Sequence, residues 1–238
     1  LPLSRGLGDV YKRQEEYVNN HFVIMATKMG QVKKTSLEQY SRPRTNGINA
    51  ITIKEEDELL EAKLTNGNSQ IMLAVKSGKA IRFEEGKTRP MGRNASGVRG
   101  IRLRDNKDEV VGMISVNDMD ANILVVSENG FGKRSSLEDY RLTNRGGKGV
   151  KTISITEKTG KLVTLKSVSD NDDLMIINKS GIAIRMQVED LRVMGRATQG
   201  VKVISLKDGD SIAAVAKVMK DDDDIEDLND IDYTGDEV

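Results

Sequence analysis

Apolar positions in this chain come in short runs that recur at a nearly constant interval. FVIMATKMG at 22–30, IMLAVKSG at 71–78, ILVVSENG at 123–130 and LMIINKSG at 174–181 each end on a glycine. These glycines, Gly30, Gly78, Gly130 and Gly181, stand 48, 52 and 51 residues apart. A cation follows each four residues later: Lys34, Arg82, Arg134 and Arg185. A second glycine (Gly47, Gly97, Gly149, Gly200) precedes a further alternating run, INAITI, VRGIRL, VKTISI or VKVISL. Each unit closes on a last run, LLEAKL at 59–64, EVVGMISV at 109–116, KLVTLKSV at 161–168 and SIAAVAKV at 211–218. Runs this short, rich in β-branched residues and bounded by Gly, Asn, Asp or Ser, predict strands rather than helices. SLEQY and SLEDY are the places where single helical turns fit. KSG and ENG supply the positive φ of a tight hairpin turn.

Each unit therefore predicts a strand, a glycine turn, a strand, a basic connection, a third strand and a final strand. About 50 residues with four short strands is the size of a propeller blade. One such sheet cannot bury both faces alone, so the units must stack around an axis. The expected fold is all-β, a propeller-like array of about four four-stranded blades. The expected boundaries are 20–66, 67–118, 119–170 and 171–219, after a leader at 1–19 and before an acidic, disordered tail at 220–238.

Composition changes this picture in two ways. Aromatic residues are 3% of the chain and Trp is absent, so the core must be built from Ile, Val, Leu and Met. The formal net charge of zero hides an asymmetry. Residues 221–238 hold ten acidic and no basic side chains, which leaves 27 acidic against 37 basic residues before them, a surplus of ten positive charges. A basic body with an acidic tail reads as a polyanion binder carrying its own competitor, or as an ordinary domain with a solubilising tail. The absence of cysteine removes disulfides, thiolate metal sites and cysteine nucleophiles. One histidine, His21, cannot build a multi-histidine metal site. No run reaches the roughly 18 apolar residues of a membrane helix, and residues 1–14 lack the apolar stretch of a secretory signal. The expected setting is a reducing cytoplasm, with no membrane partner.

The positive charge collects between the two glycines of each unit, in SRPRTNG, TRPMGRNASG, YRLTNRGGKG and LRVMGRATQG. The candidate DNA-binding residues there are Arg42, Arg44, Arg89, Arg93, Arg141, Arg145, Lys148, Arg192 and Arg196. Arg99, Lys151 and Lys202 follow the second glycine, and Arg82, Arg134 and Arg185 follow the first. Equivalent loops in stacked units lie at one height, which turns scattered cations into a band able to neutralise successive phosphates without reading sequence. Some of these arginines instead cap strand ends or pair with carboxylates. The loops lack the aromatic residues of a single-strand stacking platform. No helix is expected that could enter a major groove. Duplex DNA held by its backbone and bent around a rim is the better match. A propeller serving only as a protein-interaction scaffold explains the repeats but not the basic loops.

These motifs resemble the C-terminal domain of bacterial DNA gyrase A. The likeness is carried by GQVKKTSLEQYSRPRTNGINAI, GKAIRFEEGKTRPMGRNASGVRGIRL, GFGKRSSLEDY and RVMGRATQGVKVI, and covers roughly residues 20–220. The corresponding C-terminal domain of topoisomerase IV is the near alternative, usually with fewer, more degenerate blades. The resemblance implies a β-pinwheel whose basic perimeter wraps duplex DNA. It implies partnership with the gyrase A core and with gyrase B in a heterotetramer, associated with the nucleoid. It further implies support of ATP-dependent negative supercoiling, with ATP and Mg²⁺ used elsewhere in the holoenzyme and no cofactor in this chain.

Three departures accompany the resemblance. The gyrase domain commonly has six blades against the four repeats here, which suggests a truncated parent. The family's glycine-arginine signature loop belongs to its first blade, whereas the similar Asn144–Gly149 segment sits in the third repeat and reads as a repeat cognate. Residues 1–14 fit no repeat and read as an artefact of assembly or cloning. The family also cuts DNA with a tyrosine that directly follows an arginine. Tyr11, Tyr17, Tyr40, Tyr140 and Tyr233 follow Val, Glu, Gln, Asp and Asp. No base or metal set surrounds any of them in sequence, so the chain is not expected to be an enzyme by itself.

Overall fold

In the computed structural model, residues 18–219 apart from 43 and 208 are described. The expected leader, as far as residue 17, and the acidic tail at 220–238 lie outside the described residues. Each turn glycine closes a hairpin: β1 (Phe22–Thr27) with β2 (Gln31–Ser36), β4 (Gln70–Val75) with β5 (Lys79–Glu84), β8 (Asn122–Ser127) with β9 (Phe131–Ser136), and β12 (Asp172–Asn178) with β13 (Ala183–Gln187). The final runs form β3 (Leu59–Thr65), β7 (Val110–Val116), β11 (Leu162–Val168) and β15 (Ile212–Met219), each antiparallel to the first strand of its own hairpin. Single 3₁₀ turns stand at Leu37–Tyr40, Glu85–Lys87 and Leu137–Asp139.

The third strand of each unit departs from the expectation. It is two residues long and joins the sheet of the preceding unit. β6 (Val98–Arg99) pairs with β2, β10 (Val150–Lys151) with β5, and β14 (Val201–Lys202) with β9. The sheet orders are β3-β1-β2-β6, β10-β5-β4-β7 and β11-β8-β9-β14, with a three-stranded β13-β12-β15 last. The run at 48–53 in the first unit forms no strand. The second glycine of each unit explains the crossing. A Cβ on Gly97, Gly149 or Gly200 would sit 2.5 Å from the carbonyl oxygen of Val32, Ala80 or Gly132 in the preceding sheet. On Gly47, in the first unit, it would meet nothing within 4 Å.

The sheets stack face to face. Ile71, Leu73 and Val75 of β4 pack toward the first sheet with Ile24, Ala26 and Val32, while Met72 and Ala74 pack toward the third with Ile123 and Val125. Leu124 and Val126 turn the opposite way, toward Leu174 and Ile176 of the fourth sheet. Burial on both faces is why these strands read as unbroken apolar runs rather than alternating ones. Final strands of successive sheets adjoin, β3 beside β7, β7 beside β11 and β11 beside β15. Each exchanged strand occupies the edge opposite its sheet's final strand. The basic loops that lead into the exchanged strands are thereby carried along that outer edge.

Candidate nucleic-acid interface

The cation four residues after each turn glycine points to the neighbouring repeat rather than to solvent in three of the four units. Arg82 Nη1 donates to the carbonyls of Leu137 at 2.8 Å and Tyr140 at 3.0 Å, and its Nε to Gln70 Oε1 at 2.6 Å. Arg134 is buried, donates to the carbonyl of Leu191 and pairs with Asp170. Lys34 forms a buried ion pair with Glu85 at 2.8 Å and lies 4.0 Å over the ring of Phe22. Arg185 remains exposed, paired with Asp173 Oδ2 at 2.7 Å. Of the candidate DNA-binding residues, Arg82 and Arg134 are thus clamps between repeats, holding the carbonyls from which the next basic loop departs.

The backbone repeats this clamp. Met91, Thr143 and Met194 donate their N–H groups to the carbonyls of Lys34, Arg82 and Arg134 at 2.8, 2.9 and 2.8 Å. Just before these anchors stand Arg89, Arg141 and Arg192, at equivalent positions and all exposed. Four residues further on, Arg93, Arg145 and Arg196 are half-buried and reach back to the preceding repeat. Arg145 donates to the carbonyls of Lys87 at 2.9 Å and Arg99 at 3.0 Å, Arg196 to that of Lys151 at 2.9 Å, and Arg93 to that of Asn49 at 3.5 Å. Arg99, Lys151 and Lys202, on the exchanged strands, present exposed side chains. So the half-buried arginine of one loop fixes the backbone that displays the exposed cation of its neighbour.

Adjacent loops are also joined edge to edge. Thr52, Arg102 and Ser154 donate N–H to the carbonyls of Ala95, Gly147 and Thr198 at 3.3, 2.8 and 3.0 Å. The result is a continuous lateral chain carrying two equivalent rows of exposed cations, Arg89–Arg141–Arg192 and Arg99–Lys151–Lys202. Lys148 is exposed between the rows, and Arg42 and Arg44 are exposed on the first loop. Among the described residues no group of three or more His, Cys, Asp or Glu side chains converges as a metal site.

Sequence reasoning missed two buried lysines beneath these loops. Lys33 Nζ donates to the carbonyls of Ala50, at 2.5 Å, and Arg93. Lys133 Nζ donates to the Gly195 carbonyl at 2.6 Å and to Thr198 Oγ1 at 3.1 Å. Removal from water pushes the pKa of each down to about 8, helped by the nearby Arg93 and Arg196 guanidinium groups and opposed at Lys133 by Asp139. A signal was available in the doublets Lys33–Lys34 and Lys133–Arg134. Neighbours on a strand face opposite sides, so in a strand covered on both faces two adjacent cations must both find partners inside.

A family profile described as "DNA gyrase C-terminal domain, beta-propeller" matches residues 21–66, 70–117, 121–169 and 172–227, one segment for each repeat. The chain is 45% identical over 203 residues to the DNA gyrase A protein of Staphylococcus epidermidis and 46% over 204 residues to that of Staphylococcus aureus. Each alignment covers 85% of this chain and 23% of the relative, so the chain spans about a quarter of the length of these curated proteins. Among solved structures it is similar to a DNA gyrase A C-terminal domain, with a TM-score of 0.75 at 25% identity over 84% of this chain and 67% of that one. It shares the fold of the C-terminal domain of DNA topoisomerase IV, with a TM-score of 0.79 at 24% identity over 84% and 62%. With its four matched segments covering most of its length, the chain belongs to the family of DNA gyrase C-terminal, β-propeller domains.

Proposed function

We propose that this chain binds duplex DNA through its phosphates along the outer edge of the stacked sheets, and bends it there, as part of a DNA gyrase A protein. The observation that carries the reading is the lateral chain of loops, in which two rows of exposed arginine and lysine recur in the second, third and fourth repeats. Charges at equivalent heights neutralise successive phosphates, and counterion release supplies affinity independent of sequence. In the intact protein this domain works with the gyrase A core and with gyrase B, and wrapping by it supports ATP-dependent negative supercoiling by a type IIA topoisomerase. Strand cleavage and ATP hydrolysis belong to those other parts. ATP and Mg²⁺ act there, and the chain works on the nucleoid in the cytoplasm.

Titration with linear duplex at increasing salt tests the reading. The binding constant should fall steeply, by about 0.9 log units per neutralised phosphate for each tenfold rise in salt. Duplexes long enough to bend should bind more tightly than short ones. A salt-independent constant would leave the repeats as a scaffold for protein partners and end the DNA-binding reading.

A further inference from the structure

The third residue after each turn glycine is Lys33, Ile81, Lys133 and Ile184 in the four repeats, so a cation alternates with an isoleucine. Both lysines are fully buried, at 0% exposure. A buried ammonium is costly unless its protons are directed to acceptors. Here the acceptors include the basic loops of the next repeat: the Arg93 carbonyl for Lys33, which also donates to Ala50 of its own repeat, and the Gly195 carbonyl and Thr198 Oγ1 for Lys133. Arg93 and Gly195 lie at the glycine-arginine corners of the loops at 88–97 and 191–200. Each lysine thus reaches from its own strand into the loop of the next repeat. The loop above Ile81 is held differently. Its Gly147 packs close to Ile81, where an added Cβ would lie 3.4 Å from Cδ1, and Arg145 fastens it from outside by two carbonyls.

We propose that Lys33 and Lys133 are positioning residues that lock the loops 88–97 and 191–200 from beneath, fixing where their exposed arginines meet an anionic ligand. The lock rests on the hydrogen bonds alone, while its effect on DNA rests on the function proposed above. Two loops are thereby latched by lysine and one is seated on isoleucine, although all three display an exposed arginine at the same position, Arg89, Arg141 and Arg192.

The latch has a pH signature whose direction follows from burial. In an open loop the lysine returns to water and its ordinary pKa of 10.5, whereas in the latched loop it sits near 8. The latched form therefore binds the proton less tightly. Its stability is constant below about pH 8 and rises as pH increases from there toward 10.5. The neutral amine keeps two N–H donors, enough for both acceptors. The charged groups acting on the lysines are Arg93 at Lys33, and Asp139 and Arg196 at Lys133.

The test compares Lys33→Met and Lys133→Met with Ile184→Met, a control at the same position of the fourth repeat, where the side chain is exposed and seats no basic loop. Two readouts are needed: linear-duplex affinity across salt, and hydrogen exchange of the loop amides corrected for intrinsic rate. Each lysine variant should lower affinity at pH 7 roughly ten- to hundredfold, as loss of charge-assisted hydrogen bonds predicts, with the salt slope unchanged. Amides of residues 92–97 or 195–200 should exchange faster in the matching variant, and the control should behave as wild type. Between pH 7.5 and 9.5 those amides should gain protection in wild type and not in the variant. A salt slope lower by about one would make the lysine a direct phosphate contact, and loops as protected as wild type would remove the lock. If the wild-type chain fails to bind duplex, the proposed function falls and hydrogen exchange alone judges the lock. Should a methionine variant not fold, the wild-type pH series decides, and a flat protection profile overturns the proposal.

Discussion

Ile81 and Ile184 are the same residue at the same place in two repeats, and the structure treats them differently. Ile81 is 2% exposed beneath the loop of the third repeat, while Ile184 is 41% exposed on the uncovered edge of β13. Ile81→Ala should therefore cost about 2–4 kcal/mol of unfolding free energy, through lost transfer and an incompletely collapsed cavity. Ile184→Ala should stay within about 0.5 kcal/mol, and chemical denaturation of the two variants measures the contrast. The cations divide along a similar line. Arg141 and Lys151 are exposed, so alanine at either should lower the salt slope of duplex binding by about one. Arg82 holds three acceptors of its own and the next repeat, so Arg82→Ala should lower stability while leaving that slope unchanged. Composition and spacing located every one of these arginines but could not separate the two kinds. A guanidinium on a strand looks the same in sequence whether its fork meets solvent or the carbonyls of the following repeat.

The elements show where repetition is informative and where it is silent. Hairpins and final strands were legible almost to the residue, because a glycine turn between apolar runs and a β-branched run bounded by Gly or Asp describe local geometry. The third strand was not. VRGIRL, VKTISI and VKVISL each alternate along their length, yet only Val98–Arg99, Val150–Lys151 and Val201–Lys202 pair, and each with the sheet of the repeat before its own. Pairing partners depend on which edge is free after the hairpins stack, which no local pattern encodes. The second glycine records the crossing indirectly. Gly149→Ala combines a φ of +70° with a Cβ only 2.5 Å from the Ala80 carbonyl, so the exchanged strand must shift. The loss should be roughly 2–4 kcal/mol, against about 1 kcal/mol for Gly47→Ala, which meets only the left-handed backbone penalty. Equal losses at both glycines would mean that the exchanged strand contributes little to joining the sheets.

For the whole molecule the useful quantity is the distribution of charge rather than its sum. The 37 acidic and 37 basic residues cancel, but ten of the acidic ones lie beyond residue 220. The body that carries the rim is positive, and the rim concentrates that charge because strand exchange places the basic loops of the second, third and fourth repeats along a shared edge. The folded sheets were predictable from the repeat, and so was a band of cations. Its continuity was not, because it depends on each loop's hydrogen bonds to the preceding repeat. If the tail's carboxylates compete with phosphate for this band, the competition is intramolecular and electrostatic, and salt must weaken it as it weakens DNA binding itself. Ending the chain at Lys220 should then raise duplex affinity most at low salt, by about tenfold near 50 mM, with the two chains converging as the Debye length shrinks below about 8 Å. The shortened chain should also show the steeper salt slope, since it no longer exchanges an internal anion for the DNA. Parallel titration curves at every salt concentration would assign the tail to solubility alone, and would leave the rim's affinity set only by the cations displayed on its loops.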